Sequence, residues 1–299
     1  MKYNVLGRTG LQVSRLGLGG APLAGDFGKT DTREIQHMIH GALDTGINFI
    51  DTAPKYGNGE SERRIGQALR GRRNGVILAT KAAKSDEIYT YEVIYQSVET
   101  SLRLLQTDWI DLIQLHDVES QSYDGVMQEA LPALLKLQEE GKIRYIGVTT
   151  RNLPLLKRYM QTGMFDTIQF YTRYMLIDHT AKDEVIPLAK QLDIGVINGS
   201  VLGLGLLADK PAPFLNEEIK NKAQSRMEQI AFLRQGDNGG LIEPGMRFSL
   251  GNPDIHVTLT GADSPEVLQM NAAYCDGKAL DTHDMRKIYE LFDKDPLFT

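Results

Sequence analysis

The chain has 299 residues, 41% hydrophobic and 24% charged, with a formal net charge of −6 at pH 7. That is enough apolar material for one large core, and the acidic balance gives no electrostatic reason to bind nucleic acid or an anionic membrane. The single cysteine, Cys275, excludes an intrachain disulfide and fits a reducing compartment; MKYNVLGRTG carries no apolar leader and no run approaches the ~18 apolar residues of a membrane span, so a cytoplasmic protein is expected.

In chain order, YNVLGRTGLQV places a GRTG turn between two apolar pieces and reads as a β-hairpin that would plug a barrel end. Leu16–Gly19 is a short apolar run. Thr30–Thr45 has Ile35, Met38, Ile39, Ala42 and Leu43 at helical spacing, with Thr30 or Asp31 placed to cap it. Ile47–Ile50 is a strand, Glu60–Leu69 a helix, Val76–Thr80 a strand and Thr90–Leu105 a helix. Asp111–Leu115, Ile143–Val148 and Thr167–Phe170 are strands, separated by helices over Asp124–Glu140 and Asn152–Gln161. Ala181–Leu192 is a helix and Ile194–Ile197 a strand. After a long irregular stretch, helices near Met227–Arg234 and Glu243–Leu250 lead into the strand His256–Thr260. Ser264–Ala273 is the last unit's helix, and Leu280–Phe292 is an extra one.

Eight strand–helix units in roughly 260 residues predict a single (β/α)8 TIM barrel over residues 1–299, with an N-terminal hairpin and a C-terminal extra helix. The competing doubly wound sheet needs G-x-G-x-x-G after its first strand, and Pro22 stands where the third glycine belongs. The run LGLGGAPLAG instead supplies bare backbone at a strand end, which places Gly19 and Gly20 among the cofactor-side positions.

In a parallel barrel the strand C-termini open on one face, where sites are built. Asp51 follows INFI, Tyr56 lies in the loop beyond it, Lys81 follows VILAT and His116 follows DLIQL. These are ends of consecutive strands, so the four side chains should converge. A phenol is a poor acid or base at neutral pH, and a nearby ammonium would lower its pKa. A carboxylate keeps that ammonium charged, and a neutral imidazole can donate to a carbonyl oxygen. Together they can protonate an oxygen while hydride reaches the adjacent carbon, or run the reverse. Singly, each has an ordinary structural reading: an aspartate capping a turn, a packed tyrosine, a solvated lysine, a core histidine. Their joint placement favours the chemical one.

On these residues the chain resembles the aldo-keto reductase family. INFIDTAPKYGNGESERRIGQAL is similar to the family signature, and ILATK, DLIQLHD and LQEEGKIRYIGVTTRN resemble its next strand-end motifs. The resemblance covers almost the whole chain. It implies that Tyr56 is the proton donor, that Lys81 tunes it, that Asp51 pairs with Lys81 and that His116 orients the substrate carbonyl. It also implies an ordered mechanism in which the nicotinamide cofactor binds first.

The resemblance implies cofactor positions as well. Gln169 matches the glutamine that binds the nicotinamide carboxamide. Thr149 and Thr150 stand where the family usually has Ser-Asn, and Gly199 where many members have a tyrosine stacking on the nicotinamide. Ser200, Leu202, Gly203 and Gly205 match the phosphate-facing loop, and Gly261, Ala262 and Asn271 the adenosine side. Many NADP-dependent members carry Lys and Arg where this chain has Gly261 and Val267, which weakens the case for a 2′-phosphate. Asp263 either accepts from a ribose 2′-hydroxyl or caps the next helix beside Ser264. The cofactor is therefore NAD or NADP, with a slight lean to NAD.

For the substrate side, Asp117 and Glu119 in DVESQSYD are candidates to bind hydroxyls, with Tyr56 and His116 at the reacting carbon and Phe27 as an apolar wall. INGSVLGLGLL resembles the family's aldose 1-dehydrogenases, which oxidise sugars such as L-fucose or L-galactose to lactones. The competing readings are a general aldehyde or ketone reductase, a non-catalytic nicotinamide-binding regulatory subunit, and a barrel hydrolase or isomerase. No metal site is expected, since His37, His40, His116, His179, His256 and His283 form no ligand pattern.

Overall fold

Strands buried on both faces need helices outside and a filled interior. A computed structural model describes residues 1–25, 31–234, 240–262 and 264–298 and has this arrangement. An antiparallel pair, β1 (Tyr3–Val5) and β2 (Gln12–Ser14), precedes eight parallel strands. These are β3 (Leu16–Gly19), β4 (Phe49–Asp51), β5 (Ile77–Ala82), β6 (Ile110–Leu115), β7 (Ile143–Thr149), β8 (Thr167–Tyr171), β9 (Gly195–Gly199) and β10 (Val257–Thr260). They close into a barrel in the order β10-β3-β4-β5-β6-β7-β8-β9, which is the predicted (β/α)8 fold.

The barrel interior changes character along its axis. Its N-terminal end is filled by Phe49, Ile77, Ala79, Leu112, Ile197, Val257 and Leu259. Two residues further along the same strands come Asp51, Lys81 and Gln114, so period two carries each strand from an apolar floor to a polar mouth. The hairpin seals the floor. Leu6, Leu11 and Val13 pack into the same apolar cluster, Arg8 N–H donates to the Asp193 carbonyl at 2.8 Å, and the Tyr145 hydroxyl donates to the Thr9 carbonyl at 2.6 Å. Gly7 makes this approach possible: its φ is +47°, and a Cβ there would lie 2.4 Å from the Gly195 nitrogen.

The predicted helices largely recur with shifted ends. Asp31 caps the helix Thr32–Asp44, accepting from Arg33 N–H at 2.6 Å, while Thr30 lies outside the described residues. The helix expected near Met227–Arg234 is instead Glu217–Gln229, followed by a 3-10 turn at Ala231–Leu233. Its sequence, EEIKNKAQSRMEQ, is polar nearly all round and buries only Ala223, Arg226 and Met227, so apolar periodicity gave no signal there. The helix predicted over Ala181–Leu192 is shorter, Val185–Gln191. The extra C-terminal helix spans Thr282–Leu291, and the tail beyond it is held by Leu297 N–H to Asp178 and by Arg173 to the Phe298 carbonyl. Among the described residues no helix is long and apolar enough to cross a membrane.

Leu6 is fully buried against the barrel floor. Leu6→Ala is expected to lower unfolding free energy by about 2–5 kcal/mol, read from urea melts of the variant against the parent.

Candidate active site

Asp51, the last residue of β4, meets Lys81 of β5 with Nζ 2.5 Å from Oδ1; the two side chains are 3% and 1% exposed. Each makes a further hydrogen bond. Lys81 also donates to the Thr52 carbonyl at 2.9 Å, and the Gln114 amide donates to Asp51 Oδ1 at 3.1 Å. Burial raises the Asp51 carboxyl above its ordinary range, opposed by the Lys81 ammonium and by the amides of Gln114 and Gln169. Gln114 was not singled out from sequence. Its signal was there: a polar residue inside a buried strand, two before His116 and so on the same face.

Tyr56 opens a 3-10 turn over Tyr56–Gly59, and its ring stands edge-on to His116, with centroids 6.1 Å apart and planes at 89°. The phenol is pushed well above its ordinary pKa, first by burial and then by Asp51, Asp117 and Tyr171. Sequence reasoning expected Lys81 to lower it. Here the Lys81 charge is engaged by Asp51 and Thr52, and the phenol meets burial and anions instead. His116 is pushed down to about 3 by burial and by the charges of Lys81 and Lys55. A neutral phenol therefore faces a neutral imidazole, a pair able to supply a proton and a hydrogen bond to one oxygen.

Asp117 follows His116 at φ +48°, with Oδ2 3.9 Å from His116 Nε2. Its carboxyl is raised to about 6 by burial and Glu119, against hydrogen bonds from Tyr171 and Thr149 and the charge of Lys81. Thr149 Oγ1 accepts from Asp117 N–H at 2.9 Å, so this hydroxyl is turned toward the loop beyond β6. The Thr150 hydroxyl accepts from Asn152 N–H at 3.0 Å. Glu119 is exposed.

On the expected cofactor side, Gln169 Oε1 and Asn271 Oδ1 are buried without hydrogen-bond partners, Asn271 spending its amide N–H on Thr260 at 2.8 Å. Gly19 lies in register with Asp51, and Gly20 N–H donates to the Asp51 carbonyl at 2.7 Å. Ser200, Leu202, Gly203 and Gly205 fall in the loop after β9, where Gly203 N–H closes a turn on the Ser200 carbonyl at 2.8 Å and Leu202 packs on the core. Gly199 is in register with Tyr171, and a Cβ on it would lie 3.2 Å from Tyr171 Cβ. Ala262 is buried; a Cβ on Gly261 would lie 2.8 Å from Pro22 Cγ, and Val267 packs against the core. Phe27 and Asp263 lie outside the described residues. Among the described residues no group of three or more His, Cys, Asp or Glu could hold a metal, and His40 is bonded to the Ala68 carbonyl.

The model of the Aldo/keto reductase family matches residues 15–293. An L-galactose dehydrogenase of Arabidopsis thaliana is 32% identical over 284 residues, covering 91% of this chain and 88% of that protein. A D-threo-aldose 1-dehydrogenase of a Pseudomonas species is 28% identical, covering 89% and 90%. Among solved structures, an aldo-keto reductase from Bacillus halodurans in its holo form superposes with a TM-score of 0.81 at 29% identity, covering 98% of this chain and 96% of that one.

The buried ion pair makes a stability prediction. Lys81→Met strands the Asp51 charge and should cost about 3–5 kcal/mol, whereas Lys81→Met combined with Asp51→Asn should recover much of it. Guanidinium melts of the two single variants and the double variant check this.

Proposed function

Because the chain belongs to the Aldo/keto reductase family, oxidoreductases acting on carbonyl or CH–OH groups, we propose that it transfers hydride between NAD or NADP and the anomeric carbon of an aldose, with Tyr56 as general acid or base. Reduction of simpler aldehydes and ketones is the broader form of the same chemistry. The observation that carries the reading is the gathering of Asp51, Tyr56, Lys81 and His116 at one end of the barrel, with the tyrosine and histidine both held neutral. The relatives named L-galactose dehydrogenase and D-threo-aldose 1-dehydrogenase support the sugar substrate.

The residues present suit a nicotinamide dinucleotide. Two buried, unpartnered amide oxygens, on Gln169 and Asn271, match the amide and amino N–H groups at its two ends. Gln169 would hold the carboxamide, Asn271 the adenine, and the Ser200–Gly205 loop the phosphates. The bound nicotinamide supplies the hydride acceptor or donor. NAD suits the adenosine side better than NADP, because Pro22 crowds Gly261 and Val267 is spent on packing, which leaves no cation at either position.

For the protein's own part, His116 donates from its neutral ring to the reacting oxygen. In the oxidative direction Tyr56 must act as its phenolate: it takes the anomeric hydroxyl proton, the C1–H bond breaks with its electron pair going to the nicotinamide that the site would hold, and the C1=O bond of a lactone forms. Asp51 and Lys81 hold a fixed charge pair beneath this oxygen. Since the phenol's pKa is raised, its basic form grows only as pH rises; oxidation should therefore climb with pH through the neutral and alkaline range.

Tyr56→Phe should lower kcat by about 10²- to 10⁴-fold while NADH still binds, as read by fluorescence titration. The parent protein should reduce NAD in the presence of aldoses in a spectrophotometric panel run with both cofactors and both directions. Full activity in the variant would remove Tyr56 from the proton-transfer role. Cofactor binding without turnover on any sugar, aldehyde or ketone would favour a regulatory subunit.

A further inference from the structure

Tyr171 was not among the residues singled out by sequence, yet it ties three loops of the mouth together. It ends β8 as the register partner of Gly199. Its hydroxyl is near enough to the Asp117 carboxylate beyond β6 to hold that carboxyl's pKa down, and the Arg151 guanidinium beyond β7 sits 5.4 Å from its ring centre. It is also close enough to Tyr56 for its charge state to be felt there. The ring therefore leans from β8 across the end of β7, away from the bare position at Gly199. Thr149 completes the cradle, its hydroxyl accepting from Asp117 N–H at 2.9 Å and lying 3.4 Å from Asp117 Oδ1.

This fixes one carboxylate oxygen, Asp117 Oδ2, 3.9 Å from His116 Nε2. That gap is too long for a direct hydrogen bond and suits two oxygens on adjacent carbons. An oxygen accepting from His116 Nε2 leaves the hydroxyl on the neighbouring carbon within reach of Asp117. We propose that Asp117 reads the hydroxyl on the carbon next to the reacting one, and that Tyr171 is the positioning residue that aims it, so that the enzyme selects 2-hydroxy carbonyl compounds and their cyclic aldose forms. This rests on the oxidoreductase reading above and names the substrate feature that the site recognises. The carboxylate must be ionised to accept this bond. It faces Glu119 and His116 on its own segment, Tyr56 beyond β4, Lys81 of β5, Tyr89 in the following loop, Thr149 of β7, and Tyr171 beneath Arg151.

The test compares an aldose with its 2-deoxy counterpart. The parent should favour the aldose in kcat/KM by roughly 10- to 100-fold, the range for a hydrogen bond to a charged group. Tyr171→Phe keeps the ring and should cut that ratio about tenfold, chiefly through KM for the aldose. It should also move the acidic limb of the aldose pH profile upward, because the carboxylate loses a donor that holds its pKa down. Asp117→Asn should remove that limb. Equal kcat/KM for the two sugars in the parent overturns the proposal while leaving the oxidoreductase reading intact. A Tyr171→Phe variant that lowers both sugars equally, with an unmoved limb, overturns the role of Tyr171. Absence of parent turnover on either sugar or on simple aldehydes sinks the underlying reading, and this one with it.

Discussion

A contact of 2.5 Å between a buried ammonium and a buried carboxylate, Lys81 to Asp51, is the constraint around which the barrel mouth is arranged. Removing two such charges from water costs several kcal/mol each unless the remaining donors and acceptors are satisfied. The fold supplies partners to the pair from several elements. Asp51 comes from β4 and Lys81 from β5, the Gln114 amide from β6, a second amide, Gln169, from β8, and the Thr52 carbonyl from the start of the next loop. The apolar floor below, sealed by Leu6, Leu11 and Val13, excludes water from the other side. The pair is thus a property of four strands rather than of two residues.

The same pair sets the state of the two groups that would touch substrate. After burial, the Lys81 ammonium is the next influence holding His116 neutral, and the Asp51 carboxylate is the next influence holding Tyr56 neutral. Each charge acts on a different neighbour in the direction that suits a hydrogen-bond donor. The field also reaches outside the barrel. Glu62, buried between β5 and its flanking helices and bonded to Thr80 at 2.7 Å, is pushed up to about 7 by burial, with the Lys81 charge among the opposing influences. A low-dielectric surround lets one ion pair act at this range where surface charges would be screened.

The barrel, and the convergence of polar residues at its strand ends, were legible because both follow from period. Buried runs at regular spacing predict parallel strands, and a polar residue at the end of each predicts convergence. What escaped was overlooked or had no local signature. Gln114 carried a signal, a polar residue in a buried strand two before His116, that the apolar run around it obscured. Tyr171 reads as one more aromatic in YTRYM; its nearness to Arg151 beyond β7 and to Asp117 beyond β6 follows only from how the strand ends are brought together. The direction of the Tyr56 shift was also beyond the sequence. Residue types show that an ammonium is near, but only geometry shows that Asp51 and Thr52 already engage it. The helix Glu217–Gln229 was misplaced because a polar helix held by caps and a few anchors leaves no apolar stripe to find.

The distribution of departures from the family pattern has a physical reading. Around Asp51 and Lys81, changing one member leaves a buried charge or amide unpaired, a penalty that falls on folding. Gly261 touches Pro22 and Val267 packs on the core, and neither belongs to the hydrogen-bond network around Asp51. Substitution at either position strands no buried charge. Gly199 is similar: the missing side chain faces the mouth, and its register partner Tyr171 is supported from the opposite side by Asp117 and Arg151. The ion pair at the barrel mouth is thus tied to the stability of the fold in a way these positions are not, because removing either partner leaves the other buried and uncompensated.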